Sequence, residues 1–385
     1  MKNTTHSTLS RMTMLKTASC VALAAASMQV SAGENYKLRQ APVGVFGGEI
    51  AAPADNPGFF GTAFLTYLEV YKVVDGSGKD ITLAPIAPIT LNATPLIQVK
   101  FPVGSVAFNQ TQGQLNLLGG YLTQDTYADG RIAFALNLPL IQQHRSFVPS
   151  QPAGTLSPAL ASLPLSPFQN AVLNNGLATA NNTVQSRVAV AALSQNVDVT
   201  GIGDTELSVL WVRHKDRLKI AAGASLFVPT GAFDKTRGPN PGFGNFYTLR
   251  PGVALTYALS PEHTDTAAWD TGVTLAARLS YGMNSTNKDT NYRSGNFVYA
   301  ELGAVKVFGN WAAGANVLST QQVSDDSGTL APAGGNRYQT YGFGPFLSYK
   351  LPGKEAGFNL QYSDNFEARN ALVVRSLQLR FVKAW

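Results

Sequence analysis

Residues 269–282 read Trp-Asp-Thr-Gly-Val-Thr-Leu-Ala-Ala-Arg-Leu-Ser-Tyr-Gly, and their alternation decides the fold. Trp269, Thr271, Val273, Leu275, Ala277, Leu279 and Tyr281 form an apolar face with an aromatic at each end. Asp270, Gly272, Thr274, Ala276, Arg278, Ser280 and Gly282 are small, polar or charged. A period of two is that of a β-strand with chemically distinct faces. Twelve steps of ~3.3 Å, tilted by about 45°, set the two aromatics roughly 28 Å apart along the membrane normal, close to the ~25 Å apolar band of a barrel wall. One such strand also fits a half-buried strand of a soluble sandwich.

Repetition tips the balance toward a membrane barrel. Tyr247, Leu249, Val253, Leu255 and Tyr257 share a face opposite Thr248, Arg250 and Thr256. Leu218, Ile220, Ala222, Leu226 and Val228 oppose Arg217, Lys219, Gly223 and Ser225, and Phe358, Leu360 and Tyr362 oppose Asn359, Gln361 and Ser363. At the C-terminus Leu377, Leu379, Phe381 and Trp385 oppose Ser376, Gln378 and Arg380. The expected fold is all-β: a transmembrane antiparallel β-barrel of about 12 strands, within a range of 10–14. The strands fall near 60–74, 113–123, 130–142, 203–214, 217–229, 245–259, 268–283, 293–308, 310–323, 336–350, 355–367 and 371–385. A further pair within 93–112 would make fourteen. Tyr247, Tyr257, Trp269, Tyr281 and Trp385 are the expected lipid-interface girdle.

The connections alternate in length. Short turns at 214–217, 308–310 and 350–354 would face the periplasm with both termini, and the long connections 75–112, 143–202, 230–244 and 324–335 the exterior. Residues 143–202, rich in Pro, Ser, Ala and Asn, would form either a flexible cap or an ordered constriction, with short helices over Leu156 to Val172. Residues 33–59, ahead of a barrel spanning 60–385, would plug the lumen or trail into the periplasm.

The first 32 residues read as a signal peptide. Lys2, Arg11 and Lys16 precede a short apolar stretch, and Val30-Ser31-Ala32 offers the small residues of a cleavage site before Gly33. Cys20, the single cysteine, lies inside the apolar stretch, not at its end, which argues against lipidation. Its removal leaves no disulfide or thiolate in the mature chain. The net charge of +6 falls to +3, and no basic run invites nucleic acid. Charged residues make up 14% against about 25% in ordinary soluble proteins, and no run of 18 apolar residues would span as a helix.

Several motifs then resemble one family. Arg39-Gln40-Ala41-Pro42, Gly201-Ile202-Gly203-Asp204 and Phe227-Val228-Pro229-Thr230-Gly231-Ala232-Phe233-Asp234 occur in order. Tyr292-Arg293-Ser294-Gly295-Asn296, Gln321 to Gly328 and Gly344-Pro345 follow. Together they resemble the outer-membrane family of the MetA pathway of phenol degradation. Phe297 stands where that family's pattern leads one to expect an acidic residue, and Asn316 and Leu318 replace expected tyrosines. The resemblance implies a channel, similar in idea to the fatty-acid and toluene channels, for passive uptake of small hydrophobic or aromatic compounds, aromatic acids among them. The alternatives are a general or anion-leaning porin and a structural or adhesive barrel.

Enzyme chemistry finds no constellation. His144, His214 and His263 fall at a loop and two turns, where none can serve as the base of a triad. No histidine pair has metal-ligand spacing, and no metal or cofactor is expected. Asp325-Asp326 is a possible Ca²⁺ loop, though a solvated turn explains it better. The lumen-lining candidates are Arg217, Lys219, Arg250, Arg278, Glu301 and Arg380, all on the polar parity. They read either as a paired network bracing the wall or as charges steering anionic solutes. The expected surroundings are outer-membrane lipid and lipopolysaccharide, with the barrel-assembly machinery recognising the C-terminal strand.

Overall fold

The computed structural model describes residues 34–36, 38–40, 42–44, 56–91, 97–157, 166–259, 272–329, 331 and 334–385. The signal segment, Trp269 and His263 lie outside them. The described residues fall into two compact units, one drawn from 34–82, 105–150 and 190–385 and the other from 83–104 and 151–189.

The first unit is a closed barrel of twelve strands: β1 Gly58–Val74, β2 Ser105–Leu122, β3 Arg131–Ser150, β4 Thr205–Lys215, β5 Leu218–Val228 and β6 Thr248–Ala258 make one half. β7 Val273–Asn284, β8 Phe297–Phe308, β9 Trp311–Gln322, β10 Gln339–Lys350, β11 Ala356–Arg369 and β12 Ala371–Ala384 make the other. Every strand pairs antiparallel with its neighbours in sequence, and β1 closes on β12 from Phe60↔Ala384 to Val74↔Ala371. Closure removes the free edge that would otherwise present unpaired N–H and C=O groups to lipid.

The barrel is chemically inside out. Leu249, Leu255, Leu275, Leu279, Leu302, Leu377 and Leu379 are exposed on the outer face, while Arg250, Ser280, Glu301, Gln361 and Arg380 are buried within. Tyr247, just before β6, and Tyr257 near its end are both exposed; ten steps of ~3.3 Å at about 45° separate them by roughly 23 Å, the height of a barrel's apolar band. Tyr281 and Trp385 share that exposure. Tilted aromatic pairs Phe59–Tyr121, Trp311–Tyr349 and Phe358–Phe381, with centroids 4.6–5.1 Å apart, lie at the short-turn end.

Short turns dominate one end. Asp216-Arg217 joins β4 to β5 and Gly309-Asn310 joins β8 to β9, each with positive φ at its first residue, as a tight hairpin requires. Trp385 belongs to this end: its N–H donates to Phe59 O at 2.9 Å across the β1–β12 seam, and Lys383 lies 4.8 Å from its ring. Connections 75–104, 151–204, 229–247, 285–296 and 323–338 leave from the other end.

β2 and β3 run further than expected, pairing from Leu122↔Ala133 up to Ser105↔Ser150. The outer face of β3 changes from exposed Leu136, Leu138 and Leu140 to exposed Gln142 and His144. Above that point both faces carry polar groups, so the lipid-facing alternation no longer marks a strand. His144 thereby sits in β3 and not in a loop, exposed, with Nδ1 2.5 Å from Asp198 Oδ1. Among the described residues no further wall pair forms within 93–112. Within the second unit Ile89–Thr90, Gln98–Lys100 and Thr155–Leu156 instead form a three-stranded sheet.

Of the stretch expected to form short helices, Leu156 to Val172, residues 158–165 lie outside the described residues; its last residues open one long helix, α1, which spans Pro167–Leu193. Ser166 opens it with a capping box, its N–H donating to Gln169 Oε1 at 2.9 Å and its Oγ accepting from Gln169 N, and Pro167 takes the first turn. Its buried stripe is only Leu173, Ala180, Val184 and Val188, too narrow a pattern to announce a helix among Asn and Thr. Asn181 exchanges hydrogen bonds with Gly154 N and O.

Candidate functional site

The candidate site is the barrel lumen. An irregular segment runs into it from the long-connection end. Glu34 N donates to Ser294 Oγ and Asn287 Nδ2 to Glu34 Oε2, both partners in the 285–296 connection. Residues 38–44 then meet inward-facing side chains. Glu34 is thus held by the 285–296 connection, whereas Trp385 pairs across the seam at the short-turn end.

A chain without regular structure must find partners for its backbone groups when buried. The inward arginines supply them. Arg250 Nη1 donates to Arg39 O at 3.2 Å, Arg278 Nη2 to Pro42 O at 2.7 Å, and Arg380 Nη2 to Val43 O. In return Gly44 N donates to Glu301 Oε1 at 2.8 Å, and Thr320 Oγ1 to Gln40 Oε1 at 3.0 Å. Gly44 has φ +118, and a Cβ there would stand 2.7 Å from Arg380 Nη1.

Two of these arginines, and Arg39 of the segment itself, also have a carboxylate. Arg39–Asp204, Arg250–Glu206 and Arg278–Glu301 are each 2.6 Å apart, with all six side chains at most 4% exposed. Asp204 is further fixed by the N–H groups of Gly231 and Phe243, both at 3.0 Å. The Arg39 guanidinium lies 3.9 Å from the Phe246 ring centroid. Tyr299 and Asn316 donate to Glu301, and Tyr299 OH is 3.1 Å from Arg278 Nη2. Two charges taken out of water require such partners, and removing one of a pair costs about 3–5 kcal/mol.

The β2–β3 wall is built differently. Carboxamides there bond head to tail: Gln143 donates to Gln112 at 2.5 Å, Gln112 to Gln114 and Gln114 to Asn116 at 2.7 Å, and Asn116 to Asn137 at 3.1 Å. Asn137 Nδ2 lies 3.5 Å from Glu206 Oε2, and that acceptor sets the direction of the whole run. Gln112 and Gln114 are half-buried, as are Thr62, Thr66 and Leu68 on the adjoining inner face of β1. Thr66↔Gln114 and Leu68↔Gln112 are register partners, so these residues form one neutral, solvent-reachable strip.

Of the six residues singled out from sequence, Arg250, Arg278, Glu301 and Arg380 come together around segment 38–44. Arg217 does not: it lies exposed in the two-residue turn, its Nη1 donating to Leu259 O at 3.1 Å, because the strand parity ends before it. Lys219 sits half-buried one step inside that turn, paired in register with His214. Sequence reasoning missed Arg39, Asp204, Glu206 and the amide run as site residues. Asp325 pairs with Arg337 at 2.9 Å, which holds its carboxyl below the usual range. Asp326 accepts from Tyr292 OH, Gly295 N and Gln322 Nε2, so these two acids brace loops. Burial and the Asp326 contact push the Tyr292 hydroxyl upward. Among the described residues no cluster of His, Cys, Asp or Glu could hold a metal ion.

The family motifs meet one another: Arg39 of one pairs with Asp204 of another in the lumen, and Tyr292 and Gly295 meet Asp326 between two connections. The family model for the MetA-pathway of phenol degradation matches residues 145–381, more than half of the chain. The chain belongs to that family. No curated protein sequence matches it. Among solved structures it resembles an outer-membrane channel from Pseudomonas putida F1, with 14% identity, TM-score 0.58, and 87% of this chain and 99% of that one covered. That likeness shows the fold, a closed antiparallel β-barrel. A looser one, at TM-score 0.36 and 11% identity over 86% of this chain and 89% of the other, is to the monoaromatic hydrocarbon channel CymD.

Proposed function

We propose that this family member is an outer-membrane channel for passive uptake of small hydrophobic or aromatic compounds. The observation that carries the reading is the neutral, half-buried strip of Thr62, Thr66, Leu68, Gln112 and Gln114 inside a barrel where Arg250 and Arg278 are each paired with a carboxylate. Such a strip offers hydrogen bonds and apolar contact without the cost of stripping water from a free ion. The carboxylates beside Arg250 and Arg278 cancel the field that would make an anion-leaning porin. In this reading segment 38–44 narrows the path, the short turns and Trp385 face the periplasm, and Glu34 stands at the outer mouth.

Liposomes carrying the purified barrel should admit phenol and toluene faster than protein-free liposomes, while conductance in planar bilayers stays small. Equal uptake with and without protein would overturn the channel reading. The terminal strand should serve recognition by the barrel-assembly machinery. Deleting Trp385 removes the bond to Phe59 O and the ring near Lys383, and folded barrel in outer membranes should fall several-fold. Unchanged amounts of heat-modifiable barrel would rule that role out.

A further inference from the structure

On the inner face of β2 and β3, beyond the lipid-facing belt, register partners form three rungs: Phe108↔Phe147, Gln110↔Arg145 and Gln112↔Gln143. Arg145 is 7% exposed, yet no carboxylate among the described residues pairs with it, unlike Arg39, Arg250 and Arg278. Its guanidinium has only neutral company. Nε donates to Gln110 Oε1 at 2.8 Å, Nη1 to Gln195 Oε1 at 2.9 Å, and the Phe108 ring centroid is 5.2 Å away. Nη2 makes no hydrogen bond with a described residue. One rung below, Gln143 is 6% exposed, and its Oε1 is buried with no donor.

A buried cation without an anion and a buried acceptor without a donor are each costly alone. Side by side on one wall, next to aromatic rings, they are complementary to a single kind of molecule. We propose that this end of the β2–β3 wall binds the carboxylate of a small aromatic acid at Arg145, with Gln143 Oε1 accepting from a hydroxyl on its ring. The guanidinium supplies a charge-assisted, directional contact to the carboxylate, and Phe108 lies against the ring. The amide run begins at Gln143 and descends along the half-buried strip, so a bound solute would sit at the head of the proposed path. The choice of solute class rests on the channel reading, while the affinity of the site does not.

The test uses the full barrel in detergent micelles, with benzoate, 4-hydroxybenzoate and phenol as probes followed by calorimetry. The wild type should bind 4-hydroxybenzoate more tightly than benzoate, and phenol weakest. Arg145→Gln keeps a hydrogen-bonding side chain of similar reach and should weaken both acids about tenfold or more, the scale of one lost charge-assisted bond. Arg145→Lys should retain part of that affinity. Gln143→Leu should bring 4-hydroxybenzoate down to the benzoate level and leave benzoate unchanged. Heat-modifiable migration of each variant verifies the fold. Acids that bind Arg145→Gln as well as wild type, or phenol that binds wild type as tightly as benzoate, would overturn the site. Binding in the expected pattern with no solute entering liposomes would sink the channel reading and leave the site standing. Uptake of phenol and toluene with no acid binding would do the reverse.

Discussion

The lumen is lined on two principles. Around segment 38–44 the wall offers charge: Arg250, Arg278 and Arg380 reach backbone carbonyls, and Asp204, Glu206 and Glu301 answer the arginines. Along β2 and β3 it offers neutral amides that bond to one another. The first arrangement holds a piece of chain in place, because each ion pair is nearly sealed from water and Arg250, Arg278 and Arg380 each donate to a backbone carbonyl of the segment. The second leaves Gln112 and Gln114 half-buried, where water can replace any one partner. The charged half is thus a clamp and the amide half a surface. Period-two arithmetic on the sequence cannot tell them apart, since both occupy inward positions.

The sharpest way to break the contrast is Asp204→Ala. Asp204 accepts from Arg39, Gly231 N and Phe243 N, so its loss leaves a buried guanidinium and two backbone donors unanswered. The cost should be about 3–5 kcal/mol, concentrated on segment 38–44. The measurable result is a lower unfolding midpoint together with a several-fold higher conductance as the segment leaves the lumen. Conductance unchanged alongside a lower midpoint would show that the ion pair braces the wall without holding the segment.

Gly44→Ala probes the same clamp from the chain side and should be milder. The residue would adopt φ +118 with Cβ against the Arg380 guanidinium, which costs about 1–3 kcal/mol unless the segment shifts. Since Arg380 is the end of a flexible side chain, part of that strain relaxes. Conductance should rise by less than for Asp204→Ala, with the wall's unfolding midpoint hardly altered. A midpoint drop as large as that of Asp204→Ala would contradict a strain confined to the segment.

Much of the barrel was legible because lipid imposes chemistry on every second residue. Strands β6, β7 and β12 announce themselves through Leu249, Leu279 and Leu377, and their inward Arg250, Arg278 and Arg380 follow by parity. Legibility fails wherever lipid stops acting. Above the belt His144 and Gln142 face water, so the upper half of the β2–β3 ribbon looked like loop. Arg217 kept the right parity into a turn where parity has no meaning. The α1 helix showed too narrow an apolar stripe, its buried residues separated by Asn and Thr. Partners across the lumen are the hardest to read: Arg39 meets Asp204 across 165 positions, and Glu206 meets Arg250 across 44. The motifs shared with the family contained Arg39 and Asp204, but a motif says that residues matter and not that they touch.

Gln112→Leu tests the other side of the comparison, and the smallest stability effect is expected there. The substitution removes one acceptor from Gln143 and one donor from Gln114. Each neutral hydrogen bond is worth about 1 kcal/mol net, and less where water can step in, as it can at the half-buried Gln112 and Gln114. The unfolding midpoint should therefore stay close to wild type. What changes is the surface itself: an isobutyl group replaces an amide in the middle of the strip, so polar solutes lose a way-station while apolar ones gain contact. Liposome uptake of phenol should fall relative to toluene, with conductance otherwise unchanged. A midpoint drop matching that of Asp204→Ala would mean that the amides carry structural load as the ion pairs do. The lumen would then be one continuous brace, and the solvent-reachable strip would lose its claim to be the path.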